Sequence, residues 1–102
     1  MNLLSDIPSQ LPDEIFEDLV ATPNVRIERI LSKGHSSPEQ GWYDQSENEW
    51  VMVLQGTGTL VFEDGRQIVL NTGDYINIPA HDKHKVASTD EEQVTVWLAV
   101  FY

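Results

Sequence analysis

The stretch Glu49-Trp50-Val51-Met52-Val53-Leu54-Gln55-Gly56-Thr57-Gly58-Thr59-Leu60-Val61-Phe62-Glu63-Asp64-Gly65-Arg66-Gln67-Ile68-Val69-Leu70 decides the fold. It holds three short apolar runs rich in β-branched and aromatic residues, parted by Gln55-Gly56-Thr57-Gly58 and by Glu63-Asp64-Gly65-Arg66. The Asp64-Gly65 pair is the strongest hairpin signal, because glycine takes positive φ without steric cost. Downstream the punctuation continues through Asn71-Thr72-Gly73-Asp74 and Pro79-Ala80-His81-Asp82-Lys83. Turns spaced about eight to twelve residues apart are the mark of an all-β domain. Strands are predicted near 25–31, 41–45, 49–55, 58–63, 66–70, 75–78, 84–88 and 93–101.

Two of these segments are apolar on both faces. In the last, Val94, Val96, Leu98 and Val100 alternate with Trp97, Ala99 and Phe101; Trp50-Val51-Met52-Val53-Leu54 is similarly two-sided. A strand half-facing water alternates with polar residues. These two are therefore expected at the centre, with one face toward an interior and the other against a second layer or a second copy of the chain. Upstream, Leu11-Pro12-Asp13-Glu14-Ile15-Phe16-Glu17-Asp18-Leu19-Val20 places Ile15, Phe16, Leu19 and Val20 at helical spacing. Pro12 suits a first helical position and the acids suit the positive helix end, so a short N-terminal helix is predicted, capping an edge or open end of the β structure.

Length and composition bound the function. The 102 residues fit one domain, spanning 1–102, with an N-terminal arm over 1–24 and a β-barrel over 25–102. Seventeen acids against six bases give a formal charge of −11, which repels phosphate backbones and anionic headgroups, so neither nucleic acid nor a membrane is an expected partner. The absence of cysteine removes disulfides, thiolate metal sites and Cys nucleophiles. With no basic leader and no long apolar run, a soluble cytoplasmic protein is expected. No Gly-x-Ser-x-Gly elbow or Walker-type loop occurs, and Gly56-x-Gly58 lacks the third glycine and following helix of a dinucleotide site.

Two constellations can carry chemistry. If Val51 and Val53 face the interior, alternation turns Glu49 inward as well, and an inward carboxylate needs a partner. Further on, Gly73-Asp74-Tyr75-Ile76-Asn77-Ile78-Pro79-Ala80-His81-Asp82-Lys83-His84 delivers His84 to the start of a strand after a Pro-led turn. The plain alternatives are a rim carboxylate bonded to backbone donors and a structural strand-end histidine.

These residues carry a resemblance. Gly73, five residues, Pro79, and His84 five positions later resemble the second motif of the cupin superfamily, and Glu49 followed by six residues and Gly56 resembles the latter half of its first motif. The resemblance covers about residues 34 to 101, and Trp42-Tyr43-Asp44-Gln45, Ile78-Pro79-Ala80 and Trp97-Leu98-Ala99-Val100 are similar to a group of small single-domain cupins of uncharacterised role. It implies an all-β, cupin-type double-stranded β-helix, a jelly-roll barrel, and the two-sided apolar strands add the expectation that it pairs as a homodimer through an apolar sheet face or edge. The motif's His-x-His pair falls on Tyr43 and Gln45, or on Trp42 and Asp44, its glycine on His81 and its closing asparagine on Ser88.

The resemblance then implies a pocket for a small polar ligand. Glu49, His84, Gln45 and Asp44 are the candidates to hold one divalent ion (Zn, Mn, Fe or Ni), with Tyr43, Tyr75, Trp97 and His81 lining the ligand site. A catalytic version would be metal-assisted chemistry on an oxygen-rich substrate, with Tyr43 or Tyr75 donating a hydrogen bond. The alternative is a metal-free, non-catalytic metabolite-binding module in which Glu49 and His84 pair with one another.

Overall fold

The computed structural model describes residues 1–102 and contains eight strands and no helix. They are β1 (Ile15–Ala21), β2 (Arg26–Ser32), β3 (Glu49–Gln55), β4 (Thr57–Phe62), β5 (Gln67–Asn71), β6 (Tyr75–Ile78), β7 (His84–Thr89) and β8 (Thr95–Phe101). A five-stranded sheet in the order β1-β2-β8-β3-β6 faces a three-stranded sheet in the order β5-β4-β7. The pairings are antiparallel throughout. The predicted strand at 41–45 shrinks to one bridge, Tyr43 with His84, docked on the edge of β7. No helix is long and apolar enough to cross a membrane.

The N-terminal helix does not form. The segment becomes β1, an edge strand on β2, with Ile15 opposite Leu31 and Phe16 opposite Ile30. A helix of some ten residues is marginal in water by itself. Ile15, Phe16 and Val20 suit a strand, and the open side of β2 offers hydrogen bonds that a lone helix would forgo. A register shift between Asp18 and Val20 leaves Leu19 as the extra residue of a bulge. The expected job survives in another form, since the segment covers a sheet edge.

The doubly apolar segments lie at the centre of the larger sheet, with their inner face buried and their outer face covered only in part. β8 sits third and β3 fourth in the larger sheet. Their inward residues Val51, Val53, Trp97, Ala99 and Phe101 pack with Leu60, Phe62, Leu70 and Ile78 into the main core. On the outer face Leu31, Val94 and Val96 form a second cluster, closed by Ile7 and Leu11 of the N-terminal segment. Arg29, 6% exposed, ties that segment down: its guanidinium donates to the carbonyls of Leu3 and Ser5 and to Glu17.

Two glycines are required rather than tolerated. Gly56 turns the chain between β3 and β4 at φ 88°, and a Cβ there would stand 2.5 Å from Thr95 Oγ1. Gly58 has ordinary backbone angles, but a Cβ would overlap the Trp97 indole. Gly58→Ala is therefore expected to cost about 1–3 kcal/mol through overpacking. The check is the denaturant midpoint at unchanged m-value; an unshifted midpoint would mean that the indole is free to swing away.

Candidate functional site

A cavity of about 270 Å3 opens between the two sheets, and nine of its fifteen lining residues are hydrophobic. Register assembles its polar end. Arg26 of β2, Phe101 of β8, Glu49 of β3 and Ile78 of β6 lie side by side across the larger sheet. His84, at the start of β7, closes the facing wall, with Val86 and Leu60 beyond it. Glu14 and Phe16 reach the opening from the β1 side.

Glu49 and His84 meet here. His84 Nε2 lies 3.4 Å from Glu49 Oε1, with side chains only 5% and 11% exposed. His84 Nδ1 is 2.8 Å from the Asp82 carbonyl oxygen, which can only accept, so Nδ1 carries a proton and Nε2 is left toward the cavity. Gln45 Nε2 donates to the same Glu49 oxygen at 3.0 Å. The imidazole is held between the rings of Phe62 and Tyr43, with centroids at 5.8 and 5.7 Å. Reciprocal backbone hydrogen bonds between Tyr43 and His84 fix the loop that brings in Gln45.

The environment tunes two groups. Burial disfavours the charged His84 ring, but the Glu49 carboxylate and the Asp82 carbonyl outweigh it, so His84 titrates above the ordinary histidine value. Glu28, on the inner face of β2, titrates above the usual carboxylate range. Burial is the main cause, Arg26 opposes it, and the neighbouring acids Asp18 and Glu49 reinforce it. Arg26 contacts Glu28 at 3.6 Å and Glu47 at 3.1 Å, and its guanidinium lies 4.2 Å from the centre of the Phe101 ring.

Of the residues singled out from the sequence, Glu49, His84, Gln45, Tyr43 and Trp97 line the cavity. Asp44, His81 and Tyr75 do not. Asp44 and His81 bind one another at 2.7 Å on the exposed surface. Tyr75 stands on the outer face of the large sheet, its ring 5.5 Å from Trp50. The alternation of β6 explains this: Ile76 and Ile78 face inward, which turns Tyr75 and Asn77 out. Sequence reasoning missed Glu14, Phe16, Arg26 and Glu28.

A divalent ion is tested by the donor set. No three His, Cys, Asp or Glu side chains converge closely enough to hold a metal ion. Glu49 and His84 supply one carboxylate and one imidazole, Gln45 supplies an amide, and Asp44 is turned away to His81. Resident sites ordinarily use three protein ligands or more. The residues present do not fit a resident metal ion.

The architecture and cavity define a small β-barrel of the ligand-pocket type. The chain belongs to the cupin domain family, whose sequence model matches residues 28–101. A crystal structure from Ralstonia eutropha JMP134, described as a putative mannose-6-phosphate isomerase, is 44% identical over 99% of this chain and 94% of its own, with a TM-score of 0.95. An RmlC-like cupin family protein with a double-stranded β-helix fold from Methanocaldococcus jannaschii shares 21% identity over 87% of this chain and 79% of its own, at a TM-score of 0.71. HppE, solved with cobalt(II) in complex with Tris buffer, shares 18% identity over 95% of this chain and 57% of its own, at 0.74. No curated protein matches the chain.

Proposed function

We propose that the chain is a small-molecule-binding cupin in which the Glu49–His84 pair, rather than a resident metal, does the polar work. The supporting observation is the 3.4 Å approach of His84 Nε2 to Glu49 Oε1 at the polar end of a cavity most of whose lining residues are hydrophobic. A carboxylate and an imidazole in contact can orient a ligand's polar group and exchange a proton with it. The site therefore suits either a binding module or acid–base chemistry without a metal. The carbohydrate isomerase description of the Ralstonia protein makes a sugar a reasonable first probe.

Metal and ligand readouts test this together. Protein purified without a tag or chelator is expected to carry substoichiometric metal, and Zn, Mn, Fe or Ni is expected to leave its melting temperature unchanged. A ligand extracted from purified protein and identified by mass spectrometry is expected to bind at least tenfold more weakly to Glu49→Gln and His84→Gln. Stoichiometric metal lost from both variants would overturn the metal-free reading.

The proposal extends to a homodimer through the outer face of the larger sheet. Val20, Ile27, Val100 and Trp50 form one row across that face, and Leu98, Met52 and Tyr75 lie in the next. Tyr75 and Val20 are 65% and 44% exposed, which suits a covered face better than a solvated one. Sedimentation is expected to give twice the 11.6 kDa chain mass, falling to one chain mass in Leu98→Arg. A monomeric wild type would contradict the dimer. The absence of cysteine suits a reducing, cytoplasmic setting, and the charge of −11 supports neither nucleic acid nor an anionic membrane as partner.

A further inference from the structure

We infer that the cavity selects ligands whose polar head donates hydrogen bonds and carries no negative charge, an alcohol or an ammonium on an apolar body, and that it rejects phosphates and carboxylates. This rests on the pocket-binding reading above and adds the chemical class of the ligand. The first support is a census of cations. The chain has six Lys and Arg side chains, and only Arg26 reaches the cavity. Arg26 is already taken up by Glu28, by Glu47 and by the face of Phe101. Arg29 holds the N-terminal segment, Arg66 pairs with Asp64 and Asp82, and Lys33 and Lys85 reach the carbonyls of Ser9 and Glu39. Lys83 lies 3.7 Å from Glu63. A bound phosphate ordinarily meets an Arg fork, a lysine or a helix N-terminus, and this chain brings no uncommitted cation and no helix to the cavity.

The second support is a surplus of acceptors. Glu14, Glu28 and Glu49 line the same cavity, and the protons available there are largely committed. His84 Nε2 faces Glu49, and the Gln45 amide donates to that same carboxylate. Glu14 Oε2 accepts a hydrogen bond from the Ser32 hydroxyl at 2.6 Å, which leaves its other oxygen. Burial first, and then the acids Asp18 and Glu49, raise the titration of Glu28 against the pull of Arg26, in line with this crowding of acceptors, and the chain's −11 adds a repulsive field for anions approaching it. The third support is the wall. Ile30, Val51, Leu60, Val86, Trp97 and Phe101 surround the space beside these acceptors, so the ligand has an apolar body as well as a donating head. A phosphorylated sugar would meet carboxylates at one end of the cavity and hydrocarbon elsewhere.

A matched series tests the inference: benzyl alcohol, benzylammonium, benzoate and benzyl phosphate share one body and differ in the head. Calorimetric titration at pH 7.5 is expected to show the alcohol and the ammonium binding at least tenfold more tightly than either anion. Only the ammonium should weaken with added salt, which separates the two donor heads. Glu28→Gln is expected to reduce the ammonium's affinity severalfold and to narrow the deficit of the anions. Mannose is expected to bind more tightly than mannose 6-phosphate. An anion binding as tightly as the alcohol, or mannose 6-phosphate binding more tightly than mannose, would overturn the inference and leave the pocket reading standing. No binding by any probe at millimolar concentration would overturn both.

Discussion

Trp97→Ala is expected to lower the unfolding free energy by about 3–5 kcal/mol, the largest stability effect of any single change considered for this chain. Trp97 is 4% exposed, stands at the middle of the central strand β8 and presses its indole against Gly58 of the facing sheet. The same ring is both core and cavity wall. Its removal deletes one of the large contacts between the two sheets and leaves a void continuous with the cavity. Trp97→Phe keeps an aromatic ring there and is expected to lose less. Equilibrium denaturation checks both, and a loss under about 1 kcal/mol in Trp97→Ala would show that the sheets hold together without the indole.

The second large effect belongs to the buried pair. His84→Ala removes the partner of a carboxylate that is 11% exposed, and losing one member of a buried pair costs about 3 kcal/mol or more. The effect depends on pH in a defined direction. The folded-state pKa of His84 is raised above the ordinary 6.5, so folding favours the protonated ring. That contribution is complete below the unfolded value and is lost as pH rises through the folded one. The stability gap between wild type and His84→Ala is therefore expected to be wide at pH 6 and narrower at pH 9. Urea denaturation at the two values is the check. A gap that stays constant or widens with pH would mean that protonated His84 gains nothing from Glu49.

Most of the strand framework is legible because turn chemistry is local. Asp64-Gly65 makes its turn wherever the flanking strands lie, and Gly65 adopts φ 97°. The doubly apolar pattern of Trp50 to Leu54 and Val94 to Phe101 likewise places both segments at the centre of the larger sheet. The N-terminal segment is different, because Ile15, Phe16, Leu19 and Val20 satisfy a helical stripe and a bulged strand alike. What decides is the vacant edge of β2, whose residues pair with β1 across a turn and which periodicity within the segment does not contain.

The site was legible only on the strands whose facing direction was. In β3, Val51 and Val53 fix the inward face and carry Glu49 with them. In β2 the two faces read Arg26, Glu28, Ile30 and Ile27, Arg29, Leu31, and the second set looks like the interior. The structure makes the first set the inner face, because the outer face of this sheet is itself covered by Ile7 and Leu11. Arg26 and Glu28 therefore enter the cavity against the simple reading of hydrophobic alternation. Asp44 and His81 were adjacent to the motif residues in sequence, yet a turn needs only a short detour to point them at solvent. His81 takes positive φ, 63°, and its ring meets Asp44 outside the barrel.

The most direct test of the account is the titration of His84 followed by NMR of its imidazole ring, in wild type and in Glu49→Gln. The coupled pair predicts a wild-type midpoint above that of an ordinary histidine, a lower one in the variant, and in both a proton retained on Nδ1 by the Asp82 carbonyl. A midpoint that does not move when Glu49 loses its charge would show that the two side chains do not act on one another, and the polar end of the cavity would need another explanation.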